Sequence, residues 1–253
     1  MKPGLPSPSD RPKRPPRRKA EPPRTETGSG EGPPLTTANR IAQVLAGRVI
    51  DGIYRPGQGL RELALAAELG VGRSTIREAL RILERDGVVQ IEPHRGAAVT
   101  RLSTEELVEI YQVRTVLLGL AMALCAKRRT DRDVADLNRQ HARMLRALDD
   151  VRAAETSLHA RLSAEMAIHI IKCSGNGKLA DLLTQMANQI ARYTRLGLSS
   201  SHRRRQSAAL WRKAIDAIES GDSKLAERWG RQLVSDTLRH ALGQIAAIDT
   251  DDR

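Results

Sequence analysis

The sequence predicts a mainly α-helical protein, with a small mixed domain near the N-terminus and an all-α bundle of six helices after it. Phe is absent and aromatic residues make up 2% of the chain, so the core must consist of Leu, Ile, Val and Ala. That composition favours closely packed helices. Beyond Leu102, the apolar residues recur with the helical period of about 3.6, which predicts helices to the end of the chain.

Residues 1–34 have a different composition from the rest. They hold ten of the twelve prolines, with eight Lys and Arg against four acidic residues. Such a segment buries too little apolar surface to offset its ordering entropy, so we expect a disordered basic tail. Its basic charge suits a DNA-attracting arm, and a solvated tail without a role is an equal alternative.

The overall charge and the two cysteines limit the kind of protein. A net charge of +12 indicates a polyanionic partner, most simply nucleic acid. Two cysteines cannot form a disulfide framework, which favours a reducing, cytoplasmic setting. Neither a signal peptide nor a membrane span is expected, because no apolar stretch has the required position or length.

Residues 35–102 contain three predicted helices and a hairpin. The helices fall at about 36–50, 60–69 and 74–86, and a turn containing Gly70 and Gly72 joins the second to the third. Val88–Ile91 and Ala97–Val99 predict two short strands joined by a hairpin. Two helices joined by a glycine turn, followed by a hairpin, predict a winged helix-turn-helix.

The third helix has the pattern of a DNA-reading helix. Its apolar stripe packs onto its own domain, and the opposite side carries arginines and hydroxyls that suit base edges and phosphates. A solvated charged face is the alternative that the arginine spacing alone leaves open. The predicted DNA-binding residues are Arg73, Ser74, Thr75, Arg77 and Arg81 on this helix, and His94, Arg95 and Gly96 at the hairpin tip.

The run LAAELGVGRSTIREALRILERDGVVQIEPHRGAAV resembles the winged helix-turn-helix of GntR-family bacterial transcription regulators. The resemblance implies a homodimer that binds double-stranded DNA at an inverted-repeat operator. It also implies operator contacts from the third helix and the hairpin tip. Leu63 stands where the family often has an arginine, and Arg61 is expected on another face of its helix.

Residues 103–248 are predicted to form the helical domain, followed by a tail at 249–253. Ser103 and Glu106 form a capping box that opens its first helix. The segments Glu109–Arg114, Ser174–Asn176 and Ala217–Asp222 resemble the FCD effector domain of the FadR subfamily, and six helices resemble its VanR-type branch. The resemblance implies dimerisation and binding of a small organic acid inside the bundle.

Many members of this family hold a metal ion with one Asp and three His. Those positions fall here on Ser163, Ala167, Trp211 and Leu233, none of which is a usual ligand. We therefore expect no metal and no other cofactor, and a pocket more apolar than in metal-binding members. Leu118 replaces a glutamate of the family, which makes the pocket less polar still.

The resemblance implies that Arg114 faces the ligand, where its guanidinium fork suits a carboxylate. The full set of candidate ligand-binding residues is Arg114, Tyr111, Asn176, Asn188, Arg192, Trp211 and Leu233, each of which could instead make a structural hydrogen bond or contact.

The functional hypothesis is a transcriptional regulator, acting as a repressor, whose operator binding responds to a small organic acid. The alternative is an architectural or non-sensing DNA-binding protein whose helical domain only dimerises. An enzyme is not expected, since the one nucleophile–base candidate, Cys173 with His169, has no predicted oxyanion hole.

Overall fold

The computed structural model describes residues 36–93, 95–149 and 156–251. The predicted tail at 1–34 and His94 therefore lie outside the described residues. α9 runs to Asp251, so the segment predicted as a C-terminal tail is helical over 249–251.

Three helices and a small sheet form the N-terminal part. The helices are α1 (Thr37–Ile50), α2 (Glu62–Leu69) and α3 (Arg73–Arg85), and the strands are β1 (Gly59–Leu60), β2 (Val89–Glu92) and β3 (Gly96–Val99). The sheet is antiparallel in the order β1-β3-β2, with Leu60 opposite Ala97 and Glu92 opposite Gly96. Leu60 was predicted in the second helix, which is wrong, because it pairs with β3 and its side chain is buried.

The small domain is built on one apolar core. Leu45 and Val49 of α1, Leu65 of α2, and Ile76 and Leu80 of α3 are all buried. The β strands close this core from one side through Leu60, Val89 and Val99. Since each helix buries one stripe, the opposite face of α3 is left in solvent.

Six helices follow within the described residues, as predicted. They are α4 (Thr104–Arg128), α5 (Asp131–Asp149), α6 (Thr156–Cys173), α7 (Gly177–Gly197), α8 (Ser201–Ser220) and α9 (Ser223–Asp251). The predicted capping box at α4 is present, with Ser103 Oγ accepting from the Glu106 amide at 3.1 Å and Glu106 accepting from the Ser103 amide at 2.8 Å.

α4 is the central helix of the bundle. It packs most extensively against α9 and also contacts α6, α7 and α8. Among the described helices, α4 alone is long and apolar enough to cross a membrane by composition, with a mean hydropathy of 1.5. Burial of Leu118, Met122 and Cys125 in the core accounts for part of that composition. The remainder is an exposed stripe of Val113, Val116 and Leu120.

Candidate nucleic-acid interface and ligand cavity

The solvent face of α3 carries the predicted DNA-reading residues. Arg73, Ser74, Arg77 and Arg81 are exposed, and Thr75 is partly exposed. Ile76, Ala79, Leu80 and Leu83 on the opposite face are buried, as the predicted stripe requires. The helix is therefore held by its apolar side while its arginines point away from the core.

A groove of about 620 Å³ lies beside α3, between the start of α2 and the β2–β3 hairpin. Four arginines line it, namely Arg61, Arg77, Arg81 and Arg95. Leu63, which stands where the family often has an arginine, is not among the residues that line this groove. α2 begins at Glu62 rather than Leu60, so Arg61 is the N-cap residue and borders the same groove as Arg77.

Glu62 positions Arg77 within this groove. Its two carboxylate oxygens accept hydrogen bonds from Arg77 Nε at 3.1 Å and Nη2 at 2.9 Å, and Arg73 lies 3.9 Å from it. The hydrogen bond from Arg77 lowers the pKa of Glu62, so the carboxylate stays charged. No local sequence pattern indicates this pair, because the two residues are on different helices.

The N-termini of α2 and α3 have no side-chain cap among the described residues. Their N-cap residues, Arg61 and Gly72, make no capping hydrogen bond, whereas Thr36, Ser103, Asn176 and Ser200 cap α1, α4, α7 and α8. Free amides at a helix N-terminus bind phosphate oxygens favourably. Both uncapped ends belong to the helix-turn-helix.

The hairpin tip places two of its three predicted residues beside the groove. The Arg95 side chain is 83% exposed and lies 3.2 Å from Glu92, and Gly96 has φ +79°. Only glycine adopts that backbone conformation without strain. His94 lies outside the described residues, so its side chain is not placed.

A cavity of about 150 Å³ lies inside the helical bundle. The four positions predicted to replace metal ligands all line it, together with Tyr111 and Arg114 of α4. These four are Ser163 and Ala167 of α6, Trp211 of α8 and Leu233 of α9. The structure therefore brings together the predicted candidates Arg114, Tyr111, Trp211 and Leu233.

The donors in this cavity do not fit a metal ion. Ser163 Oγ already accepts a hydrogen bond from Trp211 Nε1 at 3.0 Å, and Ala167 and Leu233 offer no donor atom. Within the described ranges, no group of three or more His, Cys, Asp or Glu side chains is arranged to hold a metal. Zinc and similar ions require imidazole, thiolate or carboxylate ligands.

Arg114 is the one charged side chain of α4 in the cavity wall. Burial lowers the pKa of its guanidinium, and the described residues supply no acidic partner within ion-pair distance. Arg114 Nη1 donates a long hydrogen bond of 3.4 Å to the Leu183 carbonyl. The nearby Tyr111 hydroxyl lies 3.2 Å from Thr194 Oγ1, and burial raises its pKa. A largely desolvated guanidinium without a carboxylate is costly unless an anion joins it.

Three other candidate ligand residues lie elsewhere. Asn176 caps α7, where its side chain accepts from the Leu179 amide at 3.1 Å. Asn188 and Arg192 line a separate cavity of about 300 Å³ between α7 and the helices α1 and α3. These three are thus not brought together with Arg114.

Ile50, the last residue of α1, lines both cavities. α7 also borders both, with Ala187, Ala191 and Thr194 toward the bundle cavity and Gln189 and Arg192 toward α1 and α3. The helix-turn-helix part therefore forms a portion of the ligand-cavity wall, which the sequence did not indicate.

The nucleophile–base candidate has other partners. His169 Nε2 lies 3.1 Å from Asp133 Oδ1, and the Cys173 thiol lies 3.7 Å from the Cys125 carbonyl oxygen. The Cys125 thiol is hydrogen-bonded to Cys173, and this bond and burial raise the pKa of Cys125. Among the described residues, no hydrogen bond joins Cys173 to His169.

Two family models match the chain. One describes the bacterial regulatory proteins of the gntR family over residues 37–99, and the other describes the FCD domain over residues 109–236. The chain belongs to the GntR family and carries an FCD domain. It is thus a DNA-binding transcription regulator by family, and the groove beside α3 lies within the matched DNA-binding region.

Curated relatives of this GntR-family chain have regulator names. It is 26% identical to an uncharacterized HTH-type transcriptional regulator, YdhC, from Bacillus subtilis over 71% of this chain and 80% of the relative. It is 27% identical to a probable D-xylose utilization operon transcriptional repressor from Paenarthrobacter nicotinovorans, over 76% and 83%. A gluconate operon transcriptional repressor from Bacillus licheniformis is 38% identical, over 41% and 42%.

Solved structures share the fold. E. coli McbR/YncC superposes with a TM-score of 0.71 at 18% identity, covering 83% of this chain and 99% of that one. A putative GntR regulator from Rhodococcus superposes with a TM-score of 0.63 at 21% identity, covering 81% and 97%. At these identities the likeness establishes the architecture alone.

Proposed function

We propose that the protein is a sequence-specific transcriptional repressor that binds an inverted-repeat operator as a homodimer and responds to a small organic acid in its helical domain. The observation that carries the sensing role is Arg114, a partly buried guanidinium with no acidic partner among the described residues, in a cavity whose wall also includes Trp211, Leu233 and Arg161. Repressor names among the relatives support the direction of regulation.

The DNA-binding step rests on the four-arginine groove. Arg77 and Arg81 of α3 would enter the major groove, since the exposed face of a recognition helix reads base edges there. Arg95 at the hairpin tip would contact the backbone or minor groove beside it. The uncapped ends of α2 and α3 would hold phosphates, which fixes the register of the helix on the duplex.

The acid-binding step rests on the bundle cavity. The carboxylate would sit at the Arg114 guanidinium, with the Tyr111 hydroxyl nearby, and the apolar body would pack on Trp211 and Leu233. The volume of about 150 Å³ suits an acid of a few carbons. The sensing role favours a regulator over a purely architectural protein, because a protein that only dimerises has no use for an unpaired guanidinium in a cavity.

The coupling between the two steps passes through Ile50 and α7. Ile50 belongs to the DNA-binding part and contacts the cavity directly, so an acid that fills the cavity acts on the position of α1. A ligand changes operator affinity only through different affinities for the two domain arrangements. The expected outcome is release of DNA when the acid binds.

The dimer would form through the exposed apolar stripe on α4. Val113, Val116 and Leu120 are 52%, 48% and 42% exposed and lie three to four residues apart on one helix face. Two-fold symmetry of such a dimer matches an inverted repeat, with one DNA-binding domain for each half-site. The six helices of the second domain support assignment to the VanR-type branch of the FadR subfamily, and the proposed binding to chromosomal DNA supports a cytoplasmic location.

The domain boundaries of the proposal are 35–102 for DNA binding and 103–248 for effector binding and dimerisation. No metal takes part, because the cavity offers Ser163, Ala167, Trp211 and Leu233 where donors are required. Elemental analysis of purified protein should find no stoichiometric transition metal, and a chelator should leave the acid response intact. Stoichiometric zinc or nickel that survives dialysis would contradict this part of the proposal.

Selection of bound duplexes from a random DNA library tests the DNA-binding role. The proposal predicts enrichment of one inverted repeat in the presence of excess competitor DNA, and an architectural protein would enrich no sequence. Arg114→Gln should leave this selection unchanged while it removes stabilisation by short carboxylic acids. Arg146→Gln is the matched control, because Arg146 is an exposed arginine on α5 and lines none of the described cavities.

A further inference from the structure

The first five residues of α8 include three consecutive arginines, Arg203, Arg204 and Arg205, and no acidic residue. A helix N-terminus has partial positive charge, so arginines there are unfavourable unless an anion balances them. Solvent or backbone carbonyls satisfy the guanidinium groups of two of the three arginines. Arg205 is exposed to solvent, and Arg204 Nη1 donates to the carbonyls of Leu198 at 3.3 Å and Ser199 at 2.6 Å.

The described residues do not satisfy the buried guanidinium of Arg203. It is 1% exposed, and its Nε and Nη1 atoms have no hydrogen-bond partner. Its Nη2 reaches Thr237 Oγ1 at a marginal 3.5 Å. Asp236 attracts it electrostatically but makes its hydrogen bonds with Gln232 and Arg239, each at 2.8 Å. A buried guanidinium with two unsatisfied donors calls for a missing ion, water or ligand.

His159 adds a second unsatisfied side chain in the same place. It is 2% exposed and neither ring nitrogen has a partner among the described residues. Burial and the charges of Arg204 and Arg203 lower the pKa of His159, so its ring lies within electrostatic range of both arginines. Buried polar groups in folded proteins are nearly always hydrogen-bonded, so two neighbouring exceptions point to one shared partner.

These side chains lie directly behind the wall of the ligand cavity. Thr237, which contacts Arg203, lines the cavity, as does Ser207 one turn further along α8. Ala160, the neighbour of His159, lines it too. Thr237 Oγ1 donates to the Leu233 carbonyl at 2.8 Å, so the Thr237 side chain contacts both Arg203 and a residue of the cavity wall.

We propose that Arg203 and His159 form a second anion subsite of this cavity, and that its ligand is a small dicarboxylic acid. One carboxylate is held at Arg114 and the other at Arg203, with Thr237 as the side chain between the subsite and the cavity. The inference rests on the proposed function, in which Arg114 binds the first carboxylate. It goes further by fixing the class of acid and the residues that select it.

The melting temperature of an Arg203 variant distinguishes an anion subsite from a purely structural role, because the two roles predict changes of opposite sign. An unpaired buried charge lowers stability, so an apolar side chain of similar length should raise it. We expect Arg203→Met to raise the melting temperature of the unliganded full-length protein. Arg204→Met is the matched control and should lower it, because Arg204 satisfies two carbonyl oxygens at the start of α8.

Binding of matched acids provides the direct test. The probes are propionate against succinate, butyrate against glutarate, and pentanoate against adipate, measured by calorimetry and thermal shift on the full chain. In at least one of these pairs, the wild type should bind the diacid at least about tenfold more tightly than the monoacid. This is the gain expected from one additional charged hydrogen bond. Arg203→Met should lose this preference and keep its affinity for the monoacid. Arg203→Lys should keep part of it.

Equal binding of monoacids and diacids by the wild type would overturn the subsite, as would a diacid preference that survives in Arg203→Met. A lower melting temperature for unliganded Arg203→Met would also overturn it, because Arg203 would then be structural. Failure of the proposed function looks different. In that case no acid of either class binds, or Arg114→Gln binds monoacids as the wild type does.

Discussion

At the scale of single residues, the groove beside α3 depends on a contact between two helices. Glu62 of α2 fixes the Arg77 guanidinium through two hydrogen bonds of 3.1 and 2.9 Å. A long flexible side chain loses rotamer entropy when it binds a base edge, and this fixation lowers that cost in advance. Arg77 is therefore the residue most suited to reading a base, and Arg61, Arg81 and Arg95 line the groove around it.

Replacing Arg77 by Ala should weaken operator binding by about 1–3 kcal/mol per half-site and relax base preference at one position. Fluorescence anisotropy with the selected operator and its single-base variants measures both effects. Arg40→Ala is the control, since Arg40 is an exposed arginine of the same domain on α1, away from the groove. Unchanged operator affinity in Arg77→Ala would show that α3 is not the recognition helix.

His159 predicts a pH dependence of stability. Burial, reinforced by Arg204 and Arg203, lowers its pKa to about 4 from the usual value of 6.5. Because the unfolded chain binds the proton more readily, stability is fully present above pH 6.5 and is lost as the pH falls toward 4. The difference between the two pKa values corresponds to roughly 3 kcal/mol at about 1.4 kcal/mol per pH unit.

Urea denaturation of the unliganded protein at several values of pH tests this loss. His159→Leu should remove roughly 3 kcal/mol of the pH dependence, since it eliminates the group that titrates. His202→Gln, on the exposed start of α8, is the control and should keep the wild-type profile. An unchanged profile in His159→Leu would show that other groups cause the acid sensitivity.

At the scale of elements, α7 is the helix on which the two cavities meet. One of its faces lines the acid cavity through Ala187, Ala191 and Thr194. Another face contacts the DNA-binding part, where Gln189 packs against Gly87 at the end of α3. Tyr193 adds a hydrogen bond of 3.2 Å, its hydroxyl accepting from the Leu102 amide between the two domains.

Gly87→Ala tests this contact. A Cβ at Gly87 would lie 2.5 Å from Gln189 Cγ, and φ is +71°, so both the backbone and the contact oppose any side chain. We expect a loss of stability of about 1–3 kcal/mol from the backbone alone, plus a contribution from the clash. Gly52→Ala is the matched control, because Gly52 has φ +80° and open space around it.

The two contributions can be separated by unfolding measurements on the double variant. Gln189→Ala should restore the contact part of the loss in Gly87→Ala and leave the backbone part. Equal losses in Gly87→Ala and Gly52→Ala would mean that α3 and α7 do not press on each other there.

The elements differ in how well the sequence predicted them. The helices were predicted because their periodic apolar stripes and caps are local, as with Ser103 and Glu106 at α4. β1 was missed because two residues, Gly59 and Leu60, have no alternating pattern and form a strand only by pairing with β3. That error placed the predicted start of α2 at Leu60, although the helix begins at Glu62.

The residues of the candidate site also differ in how well the sequence predicted their positions. The family resemblance located Arg114, Trp211 and Leu233 in one cavity, because it carries information on helix packing that periodicity lacks. Asn188 and Arg192 were assigned to that cavity and lie in another, since neighbouring positions of α7 face opposite domains. Arg203 and His159 become neighbours only when α6 and α8 pack, so no local pattern reveals them.

At the scale of the whole molecule, the exposed stripe on α4 predicts the oligomeric state. Leu120→Asp should convert the homodimer to a monomer, because burying an unpaired carboxylate in an apolar interface is costly. Light scattering at micromolar concentration measures the change, and operator affinity should fall with it. Leu182→Asp is the control, a similarly exposed leucine on α7 that is 51% exposed. A wild-type protein that is monomeric while bound to its operator would contradict the dimer.

We expect an acid bound at Arg114 to change operator affinity through the cavity wall that Ile50 shares. Coupling of this kind is reciprocal, so acid and operator must weaken each other by the same factor. Ile50→Ala should reduce that factor without preventing either partner from binding, because it shortens the only α1 side chain among the described residues that lines the cavity.

The most direct measurement is anisotropy of the labelled operator, titrated with protein in the absence and presence of a saturating acid. The acid is the mono- or dicarboxylate of three to six carbons that stabilises the protein most. We predict that it lowers operator affinity severalfold in the wild type, less in Ile50→Ala and not at all in Arg114→Gln. An acid that binds the wild-type cavity, as shown by calorimetry, and leaves operator affinity unchanged would contradict the claim.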